Sequence, residues 1–196
     1  KPSSAASDVY KRQNQFKNGT KLIIDNAPCS IVEHEFHKPG KGQAVMRVKY
    51  KNLLTGNTND KTFKSGESAE AADINHAEME FLYHDNDSWH FMNTVTFDQI
   101  EINSLQMGNA KKFLVGQEVC EIILWDGQPI SVNPPAIVEL KITSAEPGVK
   151  GDTVSGATKN ATLETNIELQ VPLFVNENEI IKVDTRDMTY VGRSKS

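Results

Sequence analysis

The sequence predicts an all-β protein assembled from three small barrels. Three observations point there. Apolar and polar residues alternate with a period of two along most of the chain. Clusters of Gly, Pro, Asn and Asp break that alternation every eight to twelve residues, as hairpin turns require. Helical periodicity is almost absent. The 196 residues carry 21 Lys plus Arg against 26 Asp plus Glu, for a net charge of −5, and 38% are hydrophobic. These averages argue against wholesale disorder and, taken alone, against a nucleic-acid binder. Uncharged apolar runs such as Ile122 to Trp125 fall far short of the roughly 20 residues that span a bilayer, so no membrane partner is expected. Cys29 and Cys120 lie 91 positions apart with no Cys-x-x-Cys pair, which predicts neither a disulfide framework nor a zinc site and favours a reduced, cytoplasmic setting.

Taken in order, residues 1–13 (Lys1 to Gln13) are small and polar without apolar periodicity, and read as an appended, non-native library scar set aside from the fold. Strand-like alternation then covers Leu22 to Asp25, Ser30 to Phe36 and Ala44 to Lys51. Ser65-Gly66-Glu67 closes a first segment, 14–66. The second, 67–135, holds strands at Met79 to His84, Trp89 to Asn93 and Val119 to Trp125. Asn109 to Val115 predicts one short helix whose Phe113 and Leu114 cap a barrel end. Asp126-Gly127 predicts a two-residue hairpin turn, because Gly accepts positive φ. Asn133-Pro134-Pro135 is extended and opens the third segment, 136–196, with strands at Ile137 to Ile142, Ile167 to Val171 and Ile180 to Val183. Each segment is the size of one small barrel. In the second, the alternation of Tyr83, Trp89 and Phe91 favours barrel core over a base-stacking platform.

Charge is divided unevenly. Residues 1–66 carry 12 basic and 5 acidic side chains, residues 67–135 carry 2 and 12, and residues 136–196 carry 7 and 9. In the first segment Arg47, Lys49 and Lys51 alternate with Met46, Val48 and Tyr50, so one strand face packs inward and the other presents a row of cations. Such a basic strand face suits a phosphate backbone, or else serves as a solvated face. Just before it, His37-Lys38-Pro39-Gly40-Lys41-Gly42-Gln43 separates two strands. Pro39-Gly40 suits the central positions of a type II turn, which holds Lys41 at a hairpin tip with no bulky neighbour. A lysine so presented is open to a modifying enzyme and fits a narrow crevice. His34-Glu35-Phe36-His37 is not a zincin motif, since its histidines fall on opposite faces of a strand. No nucleophile elbow or phosphate loop occurs, so neither catalytic residues, nor a metal, nor a cofactor are predicted.

The string Glu35-Phe36, Lys38-Pro39-Gly40-Lys41-Gly42-Gln43-Ala44 and Arg47-Val48-Lys49 resembles the first-domain signature of bacterial elongation factor P. Similar matches run along the chain at Phe16-Lys17-Asn18-Gly19, Trp89-His90-Phe91-Met92, Leu124-Trp125-Asp126-Gly127-Gln128-Pro129-Ile130, Gly151-Asp152-Thr153 and Val171-Pro172-Leu173-Phe174-Val175. The resemblance implies an SH3-like, KOW-type barrel followed by two OB-fold barrels in an L shape that imitates tRNA. It implies a monomeric, non-enzymatic translation factor that binds the ribosome between the P and E sites beside a peptidyl-tRNA stalled on consecutive prolines. Lys41 matches the lysine that receives a β-lysyl group, with hydroxylation as a further modification, from a lysyl-tRNA-synthetase-like enzyme. Lys38, Pro39, Gly40, Gly42 and Gln43 match the loop that meets tRNA and rRNA. Gly151, Asp152 and Thr153 match the loop that approaches the small subunit and the E-site mRNA codon.

The sequence departs from the family where Asn160 replaces a usual proline and Asn166 and Asn178 replace common glycines. Asn tolerates left-handed φ, so those turns are expected to survive. Two alternatives stand beside this reading: a swinging-arm carrier with a modified hairpin lysine, and the elongation factor P-like bacterial paralogue.

Overall fold

The computed structural model describes residues 9–148 and 156–194. Short strands joined by tight turns dominate it: β1 (Tyr10–Arg12), β2 (Lys21–Ile24), β3 (Ala27–His37), β4 (Val45–Asn52), β5 (Thr58–Lys64), β6 (Ser68–Glu70), β7 (Ile74–Asp85), β8 (Ser88–Asn93) and β9 (Gln99–Asn103). There follow β10 (Val119–Trp125), β11 (Gln128–Asn133), β12 (Ile137–Ala145), β13 (Thr158–Leu163), β14 (Glu168–Pro172), β15 (Ile180–Asp184) and β16 (Thr189–Arg193). The all-β expectation is borne out. The strands form sheets ordered β2-β3-β4-β5, β11-β10-β7-β8-β9 and β14-β13-β12-β15-β16, with a small β1-β6 pair. The chain divides into two compact units, Lys1–His76 with Ile123–Ser131, and Ala77–Ile122 with Val132–Ser196.

Alternation explains the first core. Met46, Val48 and Tyr50 of β4 turn inward and join Phe16, Leu22, Ile24, Cys29, Ile31 and Phe63. Phe16 meets Phe63 edge-on, ring centroids 4.9 Å apart. Part of the stretch set aside from the fold belongs to it: Tyr10, Lys11 and Arg12 pair antiparallel with Glu70, Ala69 and Ser68, while residues 1–8 lie outside the described residues. Val9 and Gln13 take part as well, since the Ala71 N–H donates to the Val9 carbonyl and the Gln13 N–H to the Glu67 carbonyl. Backbone pairing needs no apolar pattern, so composition alone could not reveal it.

In the second unit Phe81 and Phe91 pack 5.5 Å apart, with Ile102, Met107, Cys120 and Ile122 buried beside them. Asp126 (φ 48°) and Gly127 (φ 78°) form the expected two-residue turn between β10 and β11. The expected helix at Asn109 to Val115 is shorter, a 3-10 turn at Ala110–Lys112. A one-turn helix α1 (Ser104–Met107) precedes it, capped where Asn103 Oδ1 accepts from the Gln106 N–H at 2.9 Å and Gln106 Oε1 from the Asn103 N–H at 3.2 Å. Phe113 does reach a barrel core, lying 2% exposed among Val138, Leu140, Leu163, Val171 and Ile181.

One core expectation fails. Tyr83 is 53% exposed, because the register shifts between Phe81 and Tyr83 and the residues beyond the bulge face the other way. Tyr83 instead stacks on His90 with centroids 4.4 Å apart.

Candidate functional site

The loop at residues 38–44 is closed by the His37 and Val45 pair at the end of the β3-β4 hairpin. The Ser65 N–H donates to the Ala44 carbonyl at 3.0 Å and ties the loop base to the turn before β6. Lys38, Gly40, Lys41, Gly42 and Gln43 are exposed, and Pro39 is half-buried. The expected type II turn is not formed. That turn needs positive φ at Gly40, whereas the left-handed residue is Gly42, at φ 124°. A Cβ on Gly42 would come to 3.4 Å from Pro39 Cγ, so the glycine lets the chain fold back over the proline ring. The seven-residue loop is therefore wider than a tight turn, yet Lys41 still sits between two glycines at its tip.

Past a bulge, β3 runs exposed to the loop while β4 beside it stays in the barrel. The β3-β4 register shifts between Ile31 and Glu33, after which every β3 residue to His37 is exposed. Beyond the bulge His34 lies opposite Val48, and its ring Nδ1 pairs with Asn18 Oδ1 at 2.8 Å. His37, three residues on, falls on the opposite face of the strand.

The cationic face of β4 has the predicted alternation: Arg47, Lys49 and Lys51 are exposed while Met46, Val48 and Tyr50 are buried. It is not, however, a pure row of cations. Glu35 lies directly across from Arg47, Glu33 from Lys49 on one side, and Asp60 from Lys49 on the other. Directly opposed residues of an antiparallel pair share a face, so the cations alternate with carboxylates. Lys49 Nζ lies 3.9 Å from Glu33 Oε2. These groups line a shallow depression of about 230 Å³. Glu33 and Glu35, two apart on a strand, already carried that signal in the sequence. Asp60 did not, because β5 is polar and shows no alternation. Among the described residues, by contrast, no ion pair engages Lys38 or Lys41.

Gly151, Asp152 and Thr153 lie outside the described residues. Elsewhere in the third segment the three asparagine departures are accommodated. Asn166 (φ 61°) and Asn178 (φ 65°) adopt the left-handed backbone expected of them. Asn160 uses groups a proline lacks: its N–H and its amide Nδ2 donate to the Glu146 carboxylate at 3.3 Å each. Both cysteines are free and buried. Burial pushes the Cys29 thiol up and the Cys120 thiol up to about 12, so neither is poised as a thiolate nucleophile.

Comparison with known families decides the relationship. Residues 12–69 match the elongation factor P (EF-P) KOW-like domain, residues 74–132 the elongation factor P (EF-P) OB domain, and residues 138–193 the elongation factor P C-terminal domain. The chain belongs to the elongation factor P family. Among solved structures, a eukaryotic translation initiation factor 5A from Methanococcus jannaschii matches with a TM-score of 0.53 and 22% identity, over 64% of this chain and 92% of that one. A translation initiation factor eif-5a family protein from Naegleria fowleri matches with a TM-score of 0.53 and 13% identity, over 65% of this chain and 99% of its own. At these identities the two show a shared fold. The family match carries more: these are translation-factor domains in an unbroken series, with the Lys41 loop inside the KOW-like one.

Proposed function

We propose that this translation factor binds the ribosome between the P and E sites and presents Lys41 to the CCA end of a peptidyl-tRNA stalled on consecutive prolines. One observation supports this above the others: an exposed lysine, engaged by no ion pair among the described residues, stands between two glycines at the tip of a hairpin whose β3 strand is exposed from Val32 to His37. A β-lysyl group on that amine, attached by a lysyl-tRNA-synthetase-like enzyme, adds about 6 Å of reach and further N–H donors. Ordering the CCA end lowers the entropic part of the barrier to peptide bond formation, a step the ribosome itself catalyses. Lys38 and Gln43 flank the tip as polar partners for RNA.

The test is Lys41→Ala. Its melting temperature should match the parent's, because the side chain is exposed, while rescue of a consecutive-proline reporter in reconstituted translation should drop to the level seen without factor. Undiminished rescue would refute the role of Lys41. Mass spectrometry of the peptide spanning Lys41 separates the carrier alternative, since a biotin or lipoate mass there would overturn the translation-factor reading.

A further inference from the structure

Two loops of this chain are built on one hydrogen-bond plan. In the β4-β5 connection, Asn52 Oδ1 accepts from the N–H groups of Leu54 (2.8 Å) and Thr55 (3.1 Å). Thr55 Oγ1 accepts from the Asn57 N–H at 3.3 Å, and the Gly56 N–H donates to the Asn52 carbonyl at 2.8 Å. The β8-β9 connection repeats each bond. Asn93 Oδ1 accepts from Val95 (2.8 Å) and Thr96 (3.0 Å), Thr96 Oγ1 accepts from Asp98 (3.4 Å), and the Phe97 N–H donates to the Asn93 carbonyl at 3.0 Å.

The plan requires left-handed backbone at its fifth position. The first loop has Gly56 there, at φ 77°; the second has Phe97, at φ 62°. A bulky aromatic residue is a poor choice for that conformation, and burial does not compensate it, since Phe97 is 68% exposed and Val95 beside it 80%. The loop is thus pinned to hold two apolar side chains in water, at a cost in strain that its sibling avoids with a glycine. Strain of this kind, kept without benefit to the fold, points to function.

Charge decides what the pair meets. Asp98 is next to Phe97, and Glu78, whose main-chain carbonyl accepts from the Thr94 N–H and hydroxyl, is exposed on the adjacent β7. The segment at residues 67–135 carries 12 acidic side chains against 2 basic. Those two, Lys111 and Lys112, lie beyond the far end of β9, where Lys111 Nζ reaches Ser104 Oγ at 3.1 Å. A phosphate backbone would be repelled from such a knob. We infer that Val95 and Phe97 form an anchor for a protein partner, a basic surface with an apolar pocket that accepts the Phe97 ring. This rests on the proposed ribosome association, for ribosomes are the probe.

The experiment uses the full chain and purified ribosomes. Phe97→Asn keeps a residue that tolerates left-handed φ, so it should melt no lower than the parent, while binding ribosomes about tenfold or more weakly, as loss of an aromatic anchor does. With p-benzoylphenylalanine introduced at Val95, irradiation of the complex should cross-link a basic ribosomal protein. Unchanged affinity of Phe97→Asn, a lowered melting temperature, or cross-links to RNA or to nothing while the parent still binds would each overturn the anchor. A parent chain that does not bind ribosomes would instead sink the functional reading, and this one with it.

Discussion

At the scale of single residues, a carboxylate in the last hairpin contributes to how this protein responds to acid. Asp184 ends β15 and is 13% exposed at its side chain. It accepts from the Arg186 backbone N–H at 3.0 Å, from Nε at 2.9 Å and from the terminal guanidinium nitrogen at 2.5 Å. These bonds, with the charge behind them, hold its pKa down to about 2 from an ordinary 3.8. A carboxyl group whose pKa is depressed on folding stabilises the native state above its unfolded pKa, and that contribution is lost as pH falls through the folded value. Melting temperature should therefore fall between about pH 4 and pH 2, and Asp184→Asn should flatten that part of the profile. Coincident profiles for the two proteins would contradict it. Asp184 and Arg186 are only two positions apart, but the sequence does not say whether a turn will bring two such side chains together. Lys41 differs: two glycines beside a lysine at a strand boundary are legible without coordinates. The loop's backbone is not, because the choice between Gly40 and Gly42 for positive φ depends on how the hairpin closes.

At the scale of elements, strands were legible in proportion to the apolar side chains they bury. β4, with Met46, Val48 and Tyr50 all inward, was plain. β5 buries only Phe63, and β16 buries none of its five residues, so neither showed alternation. Bulges were also invisible, since the extra residue in β3 or β7 looks like any other member of the run. This matters for the β4 cations, whose carboxylate neighbours depend on the register after the bulge. If Arg47 and Lys49 meet phosphates, reversing both to Glu should weaken ribosome binding and lower the slope of log affinity against log salt by about two. Glu33→Gln with Glu35→Gln should act oppositely, tightening binding about two- to fivefold by removing the exposed partner of Lys49 and the carboxylate opposite Arg47. Filter binding across a salt series reads both. An unchanged slope in the reversal would leave the face to solvation alone.

At the scale of the whole molecule, an average conceals two distributions. The net charge of −5 combines a first segment rich in cations with an acidic middle one, and on β4 the carboxylates opposite Arg47 and Lys49 interrupt the cations of that face. The core is distributed just as unevenly. Phe113 leaves the β9-β10 connection of one sheet and enters the cluster formed by β12 to β15 of another, 2% exposed, so one ring ties that connection to a second barrel's interior. Phe113→Ala should cost about 3–5 kcal/mol, the usual range for emptying an aromatic site in a close-packed core. The loss should also be selective. The β2-β3-β4-β5 core contains no atom of Phe113, so its unfolding should be unaffected while the transition of the second unit moves to lower temperature. Calorimetry with hydrogen exchange as the local probe would distinguish the outcomes. Protection lost in β12 to β15 but retained in β2 to β5 is expected, whereas uniform loss across both would mean that the two units melt as one cooperative body.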